Sequence, residues 1–298
     1  MKKGRQLFFG LFLFPLLIAV GMAALLCAVV FLTHEEETPE TLITAIKTGS
    51  PSKRWQKAFE LSNELNRNQQ MVRRTGVMKE ILHILNDPDH YDSKTRAYMA
   101  MALSRFQEPE AVEGVRARLR DEDQAEVQIY LIWALGNLNA KEAAGDLEKF
   151  FTNENPDLRK ISVYVSGILG DKNTTSKLRP LLEDPVADVS WNAALALARL
   201  GNDSGWEVLL KMLDRSILAS NYQMSKPEIE KVMVNAIKGL AHLERPDSLP
   251  ILKSLAQGDE SLKVRQAAID TIKYQMNKSV GVGLKSAPTT QPREIANG

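Results

Sequence analysis

The residues that could do chemistry are few and scattered. The four histidines, His34, His83, His90 and His242, include no two at a recognised metal-binding spacing. One heptapeptide, Asn86-Asp87-Pro88-Asp89-His90-Tyr91-Asp92, gathers carboxylates and an imidazole. It lacks the central glycine and closing glutamate that bend a calcium loop around its ion, so its acids are expected to cap helices. The single cysteine, Cys27, excludes an intramolecular disulfide and a cysteine-based zinc site. Leu26 before it and the apolar residues after it argue against lipidation. Val280-Gly281-Val282-Gly283 has no flanking strand and helix to make a phosphate cradle, and pairs such as Asp121/Asp123 fall at turns. Neither a nucleophile elbow nor a Cys/His pair is present. Sequons at Asn173, Asn202 and Asn277 matter only in a glycosylating pathway. The sequence thus offers no catalytic, cofactor-binding or metal-ligating residue, and the protein is not expected to be an enzyme.

Charge offers no partner class either. The 38 basic and 37 acidic residues leave a formal net charge of +1, which gives no general attraction to nucleic acid. Hydropathy is more telling at the N-terminus. From Leu7 to Leu32 runs LFFGLFLFPLLIAVGMAALLCAVVFL, 26 residues without a charge. A membrane-spanning helix needs ~20 such residues, whereas a cleavable signal has an apolar core of only ~7–15. Lys2, Lys3 and Arg5 precede the run and Glu35, Glu36 and Glu37 follow it. The expectation is a single span over 7–32, with residues 1–6 cytoplasmic and the remainder extracytoplasmic or periplasmic at the inner membrane.

The elements beyond it repeat. The small-residue helices close at Phe106, Leu138, Leu169, Leu200 and Leu243, in steps of 32, 31, 31 and 43. A second landmark is an apolar i, i+4 pair in the following helix: Val115/Leu119, Leu147/Phe151, Leu178/Leu182, Leu209/Leu213 and Ile251/Leu255. Its steps are 32, 31, 31 and 42, so the two landmarks agree on one period. In ALARLGNDSGWEVLLKML, residues 196–213, a small-residue helix ends at Gly201-Asn202-Asp203 and a larger apolar stripe starts at Trp206. Each unit is therefore a helix, a turn and a second helix, and a lone unit cannot bury both faces, so units must stack.

Met99-Ala100-x-Ala102-Leu103 after Thr95-Arg96, Leu158-Arg159, Ala193-Ala194-x-Ala196-Leu197-x-x-Leu200-Gly201 and Val264-Arg265 carry a resemblance. They are similar to the HEAT and HEAT-like repeats, particularly the short ~30-residue variety of the phycobilisome-lyase type. Gln128 and Ser190 depart from the pattern where the family often has arginine. The resemblance implies an all-α, right-handed α-solenoid of helical hairpins over 51–277, here preceded by the transmembrane helix. A divergent first unit is expected at Ser52–Asn66 and Gln69–Leu85, a tether over 33–50 with one or two helical turns at Thr41–Lys47, and a disordered tail over 278–298. The four tryptophans, Trp55, Trp133, Trp191 and Trp206, lie on or beside apolar stripes and are expected in the core.

Two features bear on binding. Basic residues recur on the second helices, Arg116, Arg118, Lys149, Arg179, Lys211 and Lys253, and second helices often line the concave face of a solenoid. They form either a partner groove or an ordinary solvated face. The 43-residue step adds a segment near 215–226 with Ile217, Leu218, Tyr222 and Met224, which either contacts a partner or folds back over the joint. The function expected is a membrane-anchored scaffold or accessory subunit of an envelope complex that binds a protein partner, with no cofactor, metal or nucleic acid. The alternative, from the resemblance alone, is an enzyme or chromophore-handling protein of the lyase type.

Overall fold

The computed structural model describes residues 13–33, 38–68, 76–243 and 245–285, and among them every element is helical. After α1 (Phe14–Thr33) and α2 (Pro39–Thr48), the first unit is α3 (Pro51–Arg67) with α4 (Val77–Leu85). The second is α5 (Ser93–Leu103) with α6 (Pro109–Asp121). In the third and fourth units the first helices are α7 (Ala125–Asn137) and α9 (Pro156–Leu169). Their second helices are broken, each a one-turn α segment, α8 (Ala144–Leu147) or α10 (Thr175–Leu178), flanked by 3-10 turns. The fifth unit is α11 (Ala187–Arg199) with α12 (Trp206–Met212), followed by the extra helix α13 (Arg215–Asn221). The sixth is α14 (Lys226–Leu240) with α15 (Ser248–Gly258), and α16 (Leu262–Lys285) closes the stack.

The hinge between paired helices is a backbone device. Asn139, Gly170 and Gly201 follow α7, α9 and α11 with left-handed φ of 51°, 76° and 75°, at intervals of one unit. Asp171 and Asn202 then accept from the N–H two residues on, at 2.9 and 3.0 Å, and so start the second helix.

Small residues on the first helices let neighbours approach closely. A Cβ on Gly167 would stand 2.7 Å from the Ala196 Cα, so α9 and α11 meet backbone to backbone. Successive first helices pack directly on one another, whereas second helices scarcely meet theirs. The first helices therefore form the closer-packed layer of the stack. The core runs as one apolar cluster from Leu42 to Leu200 and a second from Trp191 to Ala268. They divide within α11: Ala193, Ala196 and Leu197 join one, and Trp191, Ala194, Leu195 and Ala198 the other.

The N-terminal reading is corrected. Among the described residues no helix is long and apolar enough to cross a membrane, which overturns the inner-membrane, single-pass placement. Residues 7–12 of the apolar run lie outside the described residues, and the described helix, Phe14–Thr33, has Pro15 in its first turn. The expected tether contains α2, whose Leu42, Ile43 and Ile46 are buried and which packs on α3, so the array starts before residue 51. At the other end α16 continues through residues 278–285, and the rest of the expected tail lies outside the described residues.

Candidate protein-binding face

Five turns share one geometry. Glu122, Asn153, Asp184, Asp214 and Asp259 end the connections before successive first helices or, for Asp214, before α13. Each side chain accepts from the backbone N–H two residues on, at 2.8–3.0 Å. The natural partner of each such acid is a guanidinium from the first helix of the unit that the turn closes, and two such pairs form. Arg96 of α5 donates to Glu122, with both side chains buried, and Arg118 of α6 adds a third arm at 2.9 Å. Arg159 of α9 holds Asp184 through two bonds of 2.7 and 3.0 Å. Burial alone would raise the Glu122 and Asp184 carboxyls, but the hydrogen bonds from these arginines and from backbone N–H groups outweigh it and hold both below the usual carboxylate range. Gln128, at the matching position of α7, faces no acid, because its turn carries Asn153. It keeps only the local bond to the Glu122 carbonyl, 2.6 Å. These groups are consumed in joining units and leave nothing for a ligand.

The same holds for much of the basic set on the second helices. Arg116 pairs with Asp146 at 2.7 Å and with Glu113 at 3.2 Å, and Lys149 donates to the carbonyls of Leu119 and Arg120. Arg179, Lys211 and Lys253 are exposed. Of the six, Arg116, Arg118 and Lys149 are thus engaged within the array, and the other three face solvent. In the insertion, Leu218 is fully buried in the second apolar cluster, and Ile217 and Met224 are half-buried. Tyr222 folds back onto Trp191, ring centroids 5.0 Å apart, and stays 42% exposed. The segment thus covers the joint, and one edge of its tyrosine remains open. The loop Asn86–Asp92 is also structural: Asp87 accepts from the His90 N–H at 3.1 Å, and Asp92 caps α5 through Thr95 at 3.0 Å. Among the described residues no group of three or more His, Cys, Asp or Glu could hold a metal.

What the first helices present is different. Phe59 of α3, Tyr98 of α5 and Tyr130 of α7 form a row of edge-on rings, with centroids 5.3 and 5.9 Å apart. Beside them Trp133 of α7 and Tyr164 of α9 are 38% and 36% exposed, and Ile168 is exposed too. Unit by unit these are equivalent positions: Tyr98, Tyr130 and Ile161 in one column, Met101, Trp133 and Tyr164 in the next. Toward the C-terminus the first column turns polar at Asn192 and Asn235, and the second passes through the buried Leu195 before Lys238 and Asp270. Trp133, 38% exposed, is therefore not core. The signal was present in the sequence as aromatic residues recurring at one register of Ala-rich helices.

Residues 78–167 match the family model of the HEAT repeats. Over that stretch the array is HEAT-like. No curated protein matches the chain. Among solved structures it is similar to the complex of CpcE and CpcF of phycocyanin lyase from Nostoc sp. PCC7120, with 21% identity and a TM-score of 0.52, over 82% of this chain and 96% of that one. It is also similar to a designed armadillo repeat protein, with 16% identity and a TM-score of 0.41, over 80% of this chain and 100% of that one. The first of these likenesses is one of fold, that of a helical repeat array.

Proposed function

We propose that this HEAT-like array is a non-catalytic scaffold that holds a protein partner on the exposed face of its first helices. The observation that carries the reading is the aromatic surface that runs across four units, with Phe59, Trp133 and Tyr164 exposed and Tyr98 and Tyr130 half-buried. Large apolar side chains exposed in a contiguous patch mark interaction surfaces, and tyrosine and tryptophan anchor such surfaces most often. A lyase-like activity has only the fold likeness behind it.

The test is crosslinking in living cells followed by capture of the full chain, comparing two double variants. Trp133→Asp with Tyr164→Asp is expected to abolish recovery of a partner present in fixed ratio. Lys211→Glu with Lys253→Glu, on the second helices, is expected to leave recovery unchanged. The opposite pattern would transfer the binding site to the basic second-helix face.

A further inference from the structure

Resting on that reading, the geometry points to one class of occupant: we infer that the aromatic face docks an amphipathic α-helix with a basic flank and an acidic flank, lying across the first helices. The face has two charged borders. At the N-terminal ends of α7, α9 and α11 stand Glu126, Asp157 and Asp188, all exposed, one per unit. Lys160 lies between the last two, 2.7 Å from Asp157 and 3.9 Å from Asp188, and offsets only part of their charge. At the C-terminal ends stand Arg105, just past α5, and Arg199 of α11, 5.4 Å over the Tyr164 ring, with the neutral Asn137 and Ile168 at the equivalent positions of α7 and α9, so the basic border is set at the two outer units. Between these borders the surface is Ile129, Tyr130, Trp133, Ile161 and Tyr164, without a formal charge apart from Lys160.

Dimensions select the helix. Packed helices stand ~8–10 Å apart, so anchors on successive units recur at that interval. One heptad of an α-helix advances ~10.5 Å, which brings equivalent apolar residues over equivalent columns. On α11 the two borders lie eleven residues apart, at Asp188 and Arg199, or roughly 16 Å. A helix ~10–12 Å across fills that width, and its flanking side chains reach both borders. A polyproline segment also repeats at ~9.3 Å, but it is too thin to engage both edges at once. Charge complementarity therefore favours the helix. Tyr222, standing over Trp191, ends the apolar surface at the fifth unit and leaves four units as the docking length.

The experiment uses the full chain and labelled designed peptides of about three heptads, read by fluorescence anisotropy. One peptide has leucines at the first and fourth heptad positions, lysines along one flank and glutamates along the other. Two controls carry lysine or glutamate on both flanks, a third has a central proline, and a fourth is a proline-rich peptide. The bipolar peptide is expected to bind about tenfold more tightly than either uniformly charged one, and the central proline to abolish binding. Glu126→Lys with Asp188→Lys should transfer the preference to the glutamate-flanked peptide. Equal binding by the uniform peptides, tighter binding by the proline-rich one, or no binding by any of them overturns the helix. If Trp133→Asp with Tyr164→Asp still abolishes capture of a cellular partner in that event, the face remains a docking site and only its occupant is wrong. If capture is indifferent to the variant, the scaffold reading itself falls. Trp133 and Tyr164 are exposed enough for these variants to fold, and their melting curves check this.

Discussion

At the scale of single residues, the joint between the second and third units rests on Arg96, Glu122 and Arg118. Glu122 has no exposed side-chain surface, and Arg96 retains 3%. Breaking one partner of such a pair strands a buried charge, so Arg96→Ala is expected to lower stability by about 3 kcal/mol in denaturant titration. Arg96→Met combined with Glu122→Leu should recover much of that loss, since replacing both charges removes the desolvation cost along with the attraction. Glu122 and Asp184 both titrate lower in the fold than in the unfolded chain. Their contribution is therefore complete above the ordinary carboxylate range and is lost as pH falls through the lowered values, below about pH 4. The melting temperature is expected to drop steeply there, and Glu122→Gln with Asp184→Asn to flatten the drop while costing stability at pH 7. None of this was legible residue by residue. Gln128 read as a degraded position, and only the structure pairs it with a neutral turn at Asn153, where no acid awaits an arginine.

Helices were easier to read than their contacts. The 31-residue period gave the units because three consecutive ones reuse the same left-handed hinge, at Asn139, Gly170 and Gly201. The fate of individual faces was less visible. A helix buried on two sides, such as α7, shows little periodicity, and an aromatic residue on its free side, here Trp133, looks like core in a linear sequence. The mixed α and 3-10 character of the fourth unit's second helix has a local cause: Pro180 removes a backbone donor in mid-segment. Close helix approach gives a sharp prediction. Gly167→Ala would press a methyl group to 2.7 Å of the Ala196 backbone and is expected to destabilise by about 1–3 kcal/mol in denaturant titration. Gly201→Ala meets open space but must hold φ at +75°, so about 1 kcal/mol is expected by the same measurement.

Taken whole, the molecule has two apolar clusters that share α11, and the C-terminal one is fastened by a long-range ion pair. Arg215, at the start of α13, donates to both Asp259 oxygens, at 3.0 and 2.5 Å, and to Glu260 at 3.3 Å. This clamp links the fifth unit's extra helix to the turn before α16. Arg215→Ala is expected to accelerate amide hydrogen exchange from α13 through α16 and to leave α5 through α9 unchanged. The two-cluster division could not be seen in the periodicity, which passes through α11 without a break. The alternation of charged and neutral joints has a mechanical consequence. Stretched between its ends, the array behaves as springs in series, stiffer where Arg96 grips Glu122 and Arg159 grips Asp184, and more compliant at the Asn153 turn, which Arg159 holds by backbone carbonyls and no ion pair. Strain would gather at that softer joint between the third and fourth units, so tension on the chain would part Trp133 of α7 from Tyr164 of α9 before it disturbed the ends of the aromatic face.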